Sequence, residues 1–307
     1  MDIIIGILEE GFVYAIMALG VYITYKILDF PDLTVDSSFP LGAAIVAVGI
    51  TGGMNPWLTL VLAFVAGGLS GLVTGLVHVK CGVRDLLSGI IVMTGLYSVN
   101  LFIAGSANVP IFQYDNIFRG GVMDTLPEAI SPYVTTIISL VILLVMKFLL
   151  DFYLSTRSGY LLRAVGDNAN VVTSLAKDSG NVKILGLIIA NALVALAGGV
   201  LCQKQRSFDI GMGTGTIVMG LAIVIIGTSL LKNVSFVKPT TAVIVGSVIY
   251  KACMALALQL HMPTESMKLI NAVLFLIILL VSRDRKKKLK LASAGATDSQ
   301  IKGGDGQ

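Results

Sequence analysis

The chain has 307 residues, 55% of them hydrophobic and 13% charged, with a formal net charge of +4 and a mean hydropathy of +0.89. Soluble domains carry about 25% charged residues, so a soluble globular protein is excluded. Apolar runs of roughly 20 residues recur, each long enough to cross about 30 Å of hydrocarbon, and the expected fold class is an all-α polytopic membrane protein. Cys81, Cys202 and Cys253 share no short spacing, which suggests neither a disulfide framework nor a metal site.

Taken in order, the first span is read over residues 11–28, after Glu9 and Glu10 and with Lys26 near its end. Counting the lysine as inside puts the N-terminus outside, and without a basic leader no cleaved signal peptide is expected. Residues 30–42 follow, holding Phe30, Pro31, Asp32, Leu33, Thr34, Asp36, Ser37, Ser38, Phe39 and Pro40, and lead into the apolar segment 43–50. Two prolines and two aspartates beside a half-length apolar helix describe a broken second span. Such backbone is tolerated at membrane depth only where protein buries it or water reaches it. Span three covers 57–78, with Gly67, Gly71 and Gly75 on one face suited to close helix packing. Span four, 86–104, carries Ser88, Thr94, Tyr97, Ser98 and Asn100, so at least one face must meet protein or water.

Residues 105–131 form the long outer loop, and span five is read over 132–152, with Lys147 and Asp151 as an i,i+4 pair. Spans six to nine are read over 184–202, 216–231, 239–258 and 269–281. Nine spans put the N-terminus outside and the C-terminus inside, together with Arg84, Arg157, Lys177, Lys183, Lys232, Lys238 and the basic run 283–290. That run, directly after a hydrophobic span, reads as a membrane-surface anchor and not as a nucleic-acid patch. Lys204 and Arg206 fall on the outer side and are left unexplained. Residues 1–283 form the transmembrane domain, and 284–307 a basic cytoplasmic tail that is disordered toward its end.

Two features stand out. The stretch 157–183 is the one long polar interruption between apolar blocks. It reads as two short helices joined at Gly166-Asp167-Asn168, with Gly166 at a left-handed turn, Ala169, Val172 and Leu175 on one face of the second, and a stop at Gly180-Asn181. On composition alone it is either a surface for another protein or a solvated loop. The second feature is an echo: Phe30 to Ser37 opens span two, and Ser207-Phe208-Asp209 to Thr214 opens span seven in the opposite direction. Interrupted segments at corresponding places in two halves point to a transport path, unless two short segments coincide by chance. Carboxylates near membrane depth, here Asp32, Asp36 and Asp209, carry function by default or cap helices at an interface. His78 and His261 are isolated, and Asn100, Asn191 and Asn271 suit interhelical hydrogen bonds.

The string Arg157-x-Gly159-Tyr160-x-Leu162-Arg163-Ala164-Val165-Gly166-Asp167-Asn168 resembles the coupling-helix loop of importer-type ABC permeases of the branched-chain amino acid and ribose class. The resemblance covers about residues 11–283. The wording of 28–44 departs from the branched-chain form and is similar to a subgroup of proposed tryptophan and aromatic amino acid importers. It implies that Gly159, Tyr160, Leu161, Arg163, Ala164, Gly166, Asp167 and Asn168 dock on an ATPase. It also implies that Phe30, Asp32, Leu33, Thr34, Asp36, Ser37, Ser38, Phe39, Asn100, Phe208, Asp209 and Thr214 line the solute path.

The implied partners are a cytoplasmic ABC ATPase dimer, an extracellular or periplasmic solute-binding protein, a second permease copy and membrane lipid, but no nucleic acid. The implied place is the bacterial cytoplasmic (inner) membrane. No phosphate-binding Gly-rich loop with Lys-Ser/Thr is present, so ATP and magnesium belong to the partner ATPase and the chain holds no cofactor and performs no chemistry. An ion-coupled secondary transporter is the alternative. The three aspartates leave it open, but it gives no reason for the coupling-like stretch. An intramembrane enzyme would need a nucleophile–base or metal constellation, and none is visible.

Overall fold

The computed structural model describes residues 2–120, 131–174, 178–232, 234, 236–259, and 269, 270, 272, 273, 275, 276 and 280. Nine helices are described: α1 Asp2–Tyr22, α2 Val35–Thr51, α3 Pro56–Val79, α4 Asp85–Ala104, α5 Ser131–Leu154, α6 Arg157–Ser174, α7 Ser179–Gln205, α8 Thr216–Leu230 and α9 Pro239–Gln259. A π-helical turn, Ile23–Ile27, closes α1, and a 3-10 turn, Ile210–Gly213, precedes α8. Strands β1, Asn108–Pro110, and β2, Ser207–Asp209, pair antiparallel.

Seven of these helical segments are long and apolar enough to cross a membrane. The chain is a multi-pass helical membrane protein. At 17 residues α2 rises about 25 Å, short of the full hydrocarbon thickness. Part of the expected ninth span, residues 271, 274, 277–279 and 281, lies outside the described residues. So do Lys177, Leu175, His261, Asn271, residues 121–130 of the outer loop, and the basic run and tail.

Local chemistry explains several boundaries. Asn55 Oδ1 accepts from the Trp57 amide at 2.9 Å with Pro56 in the first turn of α3, a capped start. Asp178 caps α7 by accepting from Gly180 and Asn181, so that pair opens α7 and does not end the preceding helix as expected. Helix α1 begins well before residue 11, so Glu9 and Glu10 lie within it.

The centre of the molecule is α7, buried along nearly its whole length. Methyl groups at Gly67 or Gly71 would strike Asn191 and Leu187 carbonyl oxygens, and one at Gly75 would press on Ile184. The glycine face of α3 therefore lets its backbone lie directly on α7, as the spacing predicts.

Helix ends gather on two sides. On one side Gln203 Nε2 donates to the Pro56 carbonyl at 3.1 Å, its Oε1 accepts from the Ile117 amide at 2.9 Å, and β1 pairs with β2. Here the two unexplained bases find their partners. Lys204 pairs with Glu9 at 3.4 Å, and Arg206 donates to the Phe112 carbonyl and lies over its ring. On the other side α6 rests on the end of α1, and Asp151 of α5 binds Thr240 and Lys238 at the start of α9.

Candidate functional site

The break after α1 is built by hydrogen-bond bookkeeping. Leu28 N–H donates to the Ile23 carbonyl, and Phe30 N–H to the Thr24 carbonyl, each at 2.9 Å, which widens the last turn to a π-type. Asp29 then takes a left-handed φ of 51° and turns the chain inward. Phe30 is buried edge-on against His78, with 5.1 Å between ring centroids, and His78 Nδ1 is 2.8 Å from the Val83 carbonyl. Asp32 Oδ1 accepts from the Thr34 amide at 2.9 Å and starts the turn into α2.

The irregular backbone ends there. Pro40 lies inside α2, contrary to the expectation that both prolines break the helix; only Pro31 lies in the break. The carbonyl that Pro40 cannot bond is that of Asp36, and Gly213 packs directly against it.

From this break a polar knot spreads through the helices. Asp32, fully buried, takes Asn191 Nδ2 of α7 on Oδ2 at 2.7 Å. Asn191 Oδ1 accepts from Ser38 at 2.7 Å, Ser38 also meets Ser70 of α3 at 2.8 Å, and Thr34 meets Thr74 at 2.8 Å. From the α4 side, Asn100 Nδ2 donates to the Ser37 carbonyl at 2.9 Å, and Ser37 Oγ donates to the Met93 carbonyl at 2.8 Å. Asn100 Oδ1 is buried without a partner.

The knot closes on α8. Asp36 Oδ1 accepts from the Ile217 amide at 2.7 Å and Oδ2 from the Gly215 amide at 3.2 Å, so a carboxylate from the first turn of α2 caps α8. The two echoing stretches therefore meet within one chain.

The stretch expected to grip a partner forms α6. Gly159, Leu162 and Val165 face inward, while Arg157, Tyr160, Arg163, Ala164, Asp167 and Asn168 are exposed and Leu161 is half-buried. Arg163 stands 6.0 Å from the Tyr160 ring centroid, a cation over an aromatic face. Gly166 stays within the helix without a positive φ, which corrects the expected left-handed turn. Its lack of a side chain serves packing instead: a methyl group there would collide with the Ile27 carbonyl oxygen of the π turn. The bend between the two helical pieces falls at Asn168, with φ −161° and ψ 97°.

The chain matches the family model described as the branched-chain amino acid transport system permease component over residues 3–281. The chain belongs to this permease family. The permease is 44% identical over 279 residues to a tyrosine transport system permease protein of Clostridioides difficile, covering 91% of each chain. It is 31% identical to an uncharacterised protein of Rickettsia prowazekii, over 92% of this chain and 99% of the other. It is also 26% identical to a probable branched-chain amino acid transport permease protein, LivH, of Methanocaldococcus jannaschii, over 69% and 70% of the two chains. No solved structure matches. The family and two of these relatives are named as transport permeases, and the permease is a transport component, not an enzyme.

Within the permease the expected path residues divide by position. Phe30, Asp32, Thr34, Ser37, Ser38, Phe39, Asn100 and Phe208 are buried, Leu33 and Asp36 are half-buried, and Asp209 and Thr214 are exposed. Asp209 accepts from the Gly211 amide at 2.7 Å and caps the 3-10 turn. The sequence reading missed Ser70 and Thr74, although they alternate with the α3 glycines and so share their face. It also missed Lys251 and Glu10, an ion pair at 3.0 Å within apolar helices. Among the described residues, no group of three or more His, Cys, Asp or Glu could hold a metal.

Proposed function

We propose that this permease is the membrane subunit of an ATP-driven importer that carries a small solute, an amino acid, into the cytoplasm. Its likeness to a tyrosine transport permease supports an aromatic solute. The chain crosses the bacterial cytoplasmic membrane nine times with its C-terminus inside. It works as a pair of identical copies with a cytoplasmic ATPase dimer, and a solute-binding protein docks on the outer side. ATP and magnesium are held by the ATPase.

The observation that carries this reading is the seat of α6. Its exposed face, Arg157, Tyr160, Arg163, Ala164, Asp167 and Asn168, is polar and aromatic, as a protein-docking surface requires. Its inner face lies on the π turn that leads directly into the break. A push on α6 therefore arrives at Leu28, Asp32 and α2 with no flexible linker between. The solute passes along Leu33, Asp36, Asp209 and Thr214, and the buried knot behind them fixes their positions. Weak contacts suffice along this path, because a tight site would trap the solute that the binding protein delivers.

Arg163→Glu and Gly166→Val test the reading in proteoliposomes holding the ATPase and the binding protein. Both variants are expected to insert in the membrane and to lose binding-protein-stimulated ATP hydrolysis. Wild-type hydrolysis and transport in both would make α6 an ordinary connector.

A further inference from the structure

Lys251 is a charged side chain in the middle of an apolar helix, 12 residues beyond Pro239 and so about 18 Å along the axis of α9. A charge at such a place is costly and marks function by default. It is only 9% exposed, its Nζ lies 3.0 Å from Glu10 Oε2 on α1, and the same Nζ sits 3.5 Å from the centroid of the Tyr14 ring. The other face of the contact continues inward. Tyr14 stacks on Phe39 at 6.2 Å with 17° between the planes, and Phe39 is fully buried one residue after Ser38 of the polar knot. Around the pair α1 and α9 are in close contact: Ser247 Oγ donates to the Gly11 carbonyl at 2.7 Å, and Gly11 lies on Val248.

The opposite end of α9 is anchored at the coupling surface. Thr240 donates to Asp151 at 2.6 Å and Lys238 pairs with it at 3.4 Å. Pro239 and Thr240 line a cleft of about 180 Å³ together with Tyr160 and Arg163 of α6. Helix α9 thus shares a cleft with α6 at its first turn and, near its middle, reaches α2 through Lys251, Tyr14 and Phe39.

We propose that α9 is a second rod between the coupling surface and the solute path, and that Lys251 is its positioning residue, holding the Tyr14 ring against Phe39. The proposal rests on the ATP-driven reading above. In it the Glu10 carboxylate neutralises the ammonium, and the ring face fixes where the ammonium sits, because a cation held over an aromatic face resists lateral shift. Movement of α9 along its axis then tilts Tyr14, and the stacked Phe39 carries the displacement to the first turns of α2, beside Asp36 and the start of α8. The π turn under α6 drives the break from below, and α9 would drive α2 from the side.

The test uses the full complex in proteoliposomes, with a single reporter cysteine, Thr214→Cys, on a background without other cysteines. Thr214 is exposed and lies at the start of α8, so its labelling by a small water-soluble maleimide needs no knowledge of the solute. The rate is measured with the ATPase free and with it trapped by ATP and vanadate. Two variants are compared with wild type: Lys251→Met with Glu10→Gln, which removes both charges, and Tyr14→Leu, which keeps the ion pair and removes the ring.

In wild type, trapping changes the labelling rate. In both variants ATP hydrolysis is expected to stay at the wild-type rate, while the nucleotide-dependent ratio of labelling rates falls by about tenfold, toward one. An unchanged ratio in both variants would make the pair a structural lock only and overturn the proposal. Loss of the assembled complex in both would also overturn it, because the trio would then be a folding element. If wild type itself neither hydrolyses ATP nor responds to trapping, the ATP-driven reading fails first and this proposal with it.

Discussion

Replacing Asn191 with leucine isolates the polar knot, because Asn191 is its one member bonded to both Asp32 and Ser38. The substitution keeps the branched shape of the side chain, with added volume, and removes the 2.7 Å bond to Asp32, the 2.7 Å bond from Ser38 and a 3.1 Å bond to the Leu187 carbonyl. Ser38 keeps Ser70 as a partner and the Leu187 carbonyl has other acceptor capacity, so the main loss is at Asp32. That carboxylate is fully buried and would keep Thr34, through its amide and its side chain, as the remaining partner. Hydrogen bonds to charged groups contribute about 1.5–3 kcal/mol, whereas neutral interhelical bonds in membranes average about 0.6 kcal/mol. Asn191→Leu should therefore cost about 2–4 kcal/mol, and Ser70→Ala well under 1 kcal/mol.

Denaturant unfolding of the purified permease in detergent, followed by circular dichroism, measures both. A swap refines the test: Asp32→Asn combined with Asn191→Asp restores an amide facing a carboxylate. The double variant should be at least 1 kcal/mol more stable than the sum of the singles predicts. If Asn191→Leu costs no more than Ser70→Ala, or the swap shows no recovery, the knot is not held by this pair.

Two further outcomes follow from the same geometry. Gly71→Ala should cost about 1–3 kcal/mol, because its methyl group meets the Leu187 backbone and forces α3 off α7. Gly95→Ala, with nothing within 4 Å, should be neutral or slightly stabilising in the same assay. Asp36→Ala should cost about 1–2 kcal/mol through loss of the α8 cap and lower the transport rate, while Asp36→Ser, which keeps a capping oxygen, should recover part of both.

Membrane residence, helix positions and the special character of 157–183 could be read directly from the residues. Hydropathy is a local sum, and a run such as 239–258 must be helical in lipid, since its amides have no other partners there. The face carrying Gly67, Gly71 and Gly75 was equally readable, because helical spacing alone lines them up. Tertiary contacts decided the rest. The local sequence assigns Gly166 to a left-handed turn, but only the three-dimensional arrangement brings the Ile27 carbonyl beneath it. By sequence Pro40 reads as a second break, yet a proline six residues into a helix forfeits one bond, and the packing of Gly213 covers the carbonyl left over.

Lys204, Arg206 and Lys251 looked misplaced or went unnoticed because their partners, Glu9, the Phe112 carbonyl and Glu10, are distant in the chain. The physical reason is range. Periodicity and hydropathy report what a residue does to its own helix, whereas the cost of a buried charge depends on which atoms other helices place beside it. The sequence by itself determined a helical membrane permease with a broken second span and a polar surface loop. Only the fold decided that Asp36 caps α8, that Asn191 secures Asp32, and that α6 bears directly on the turn leading to both.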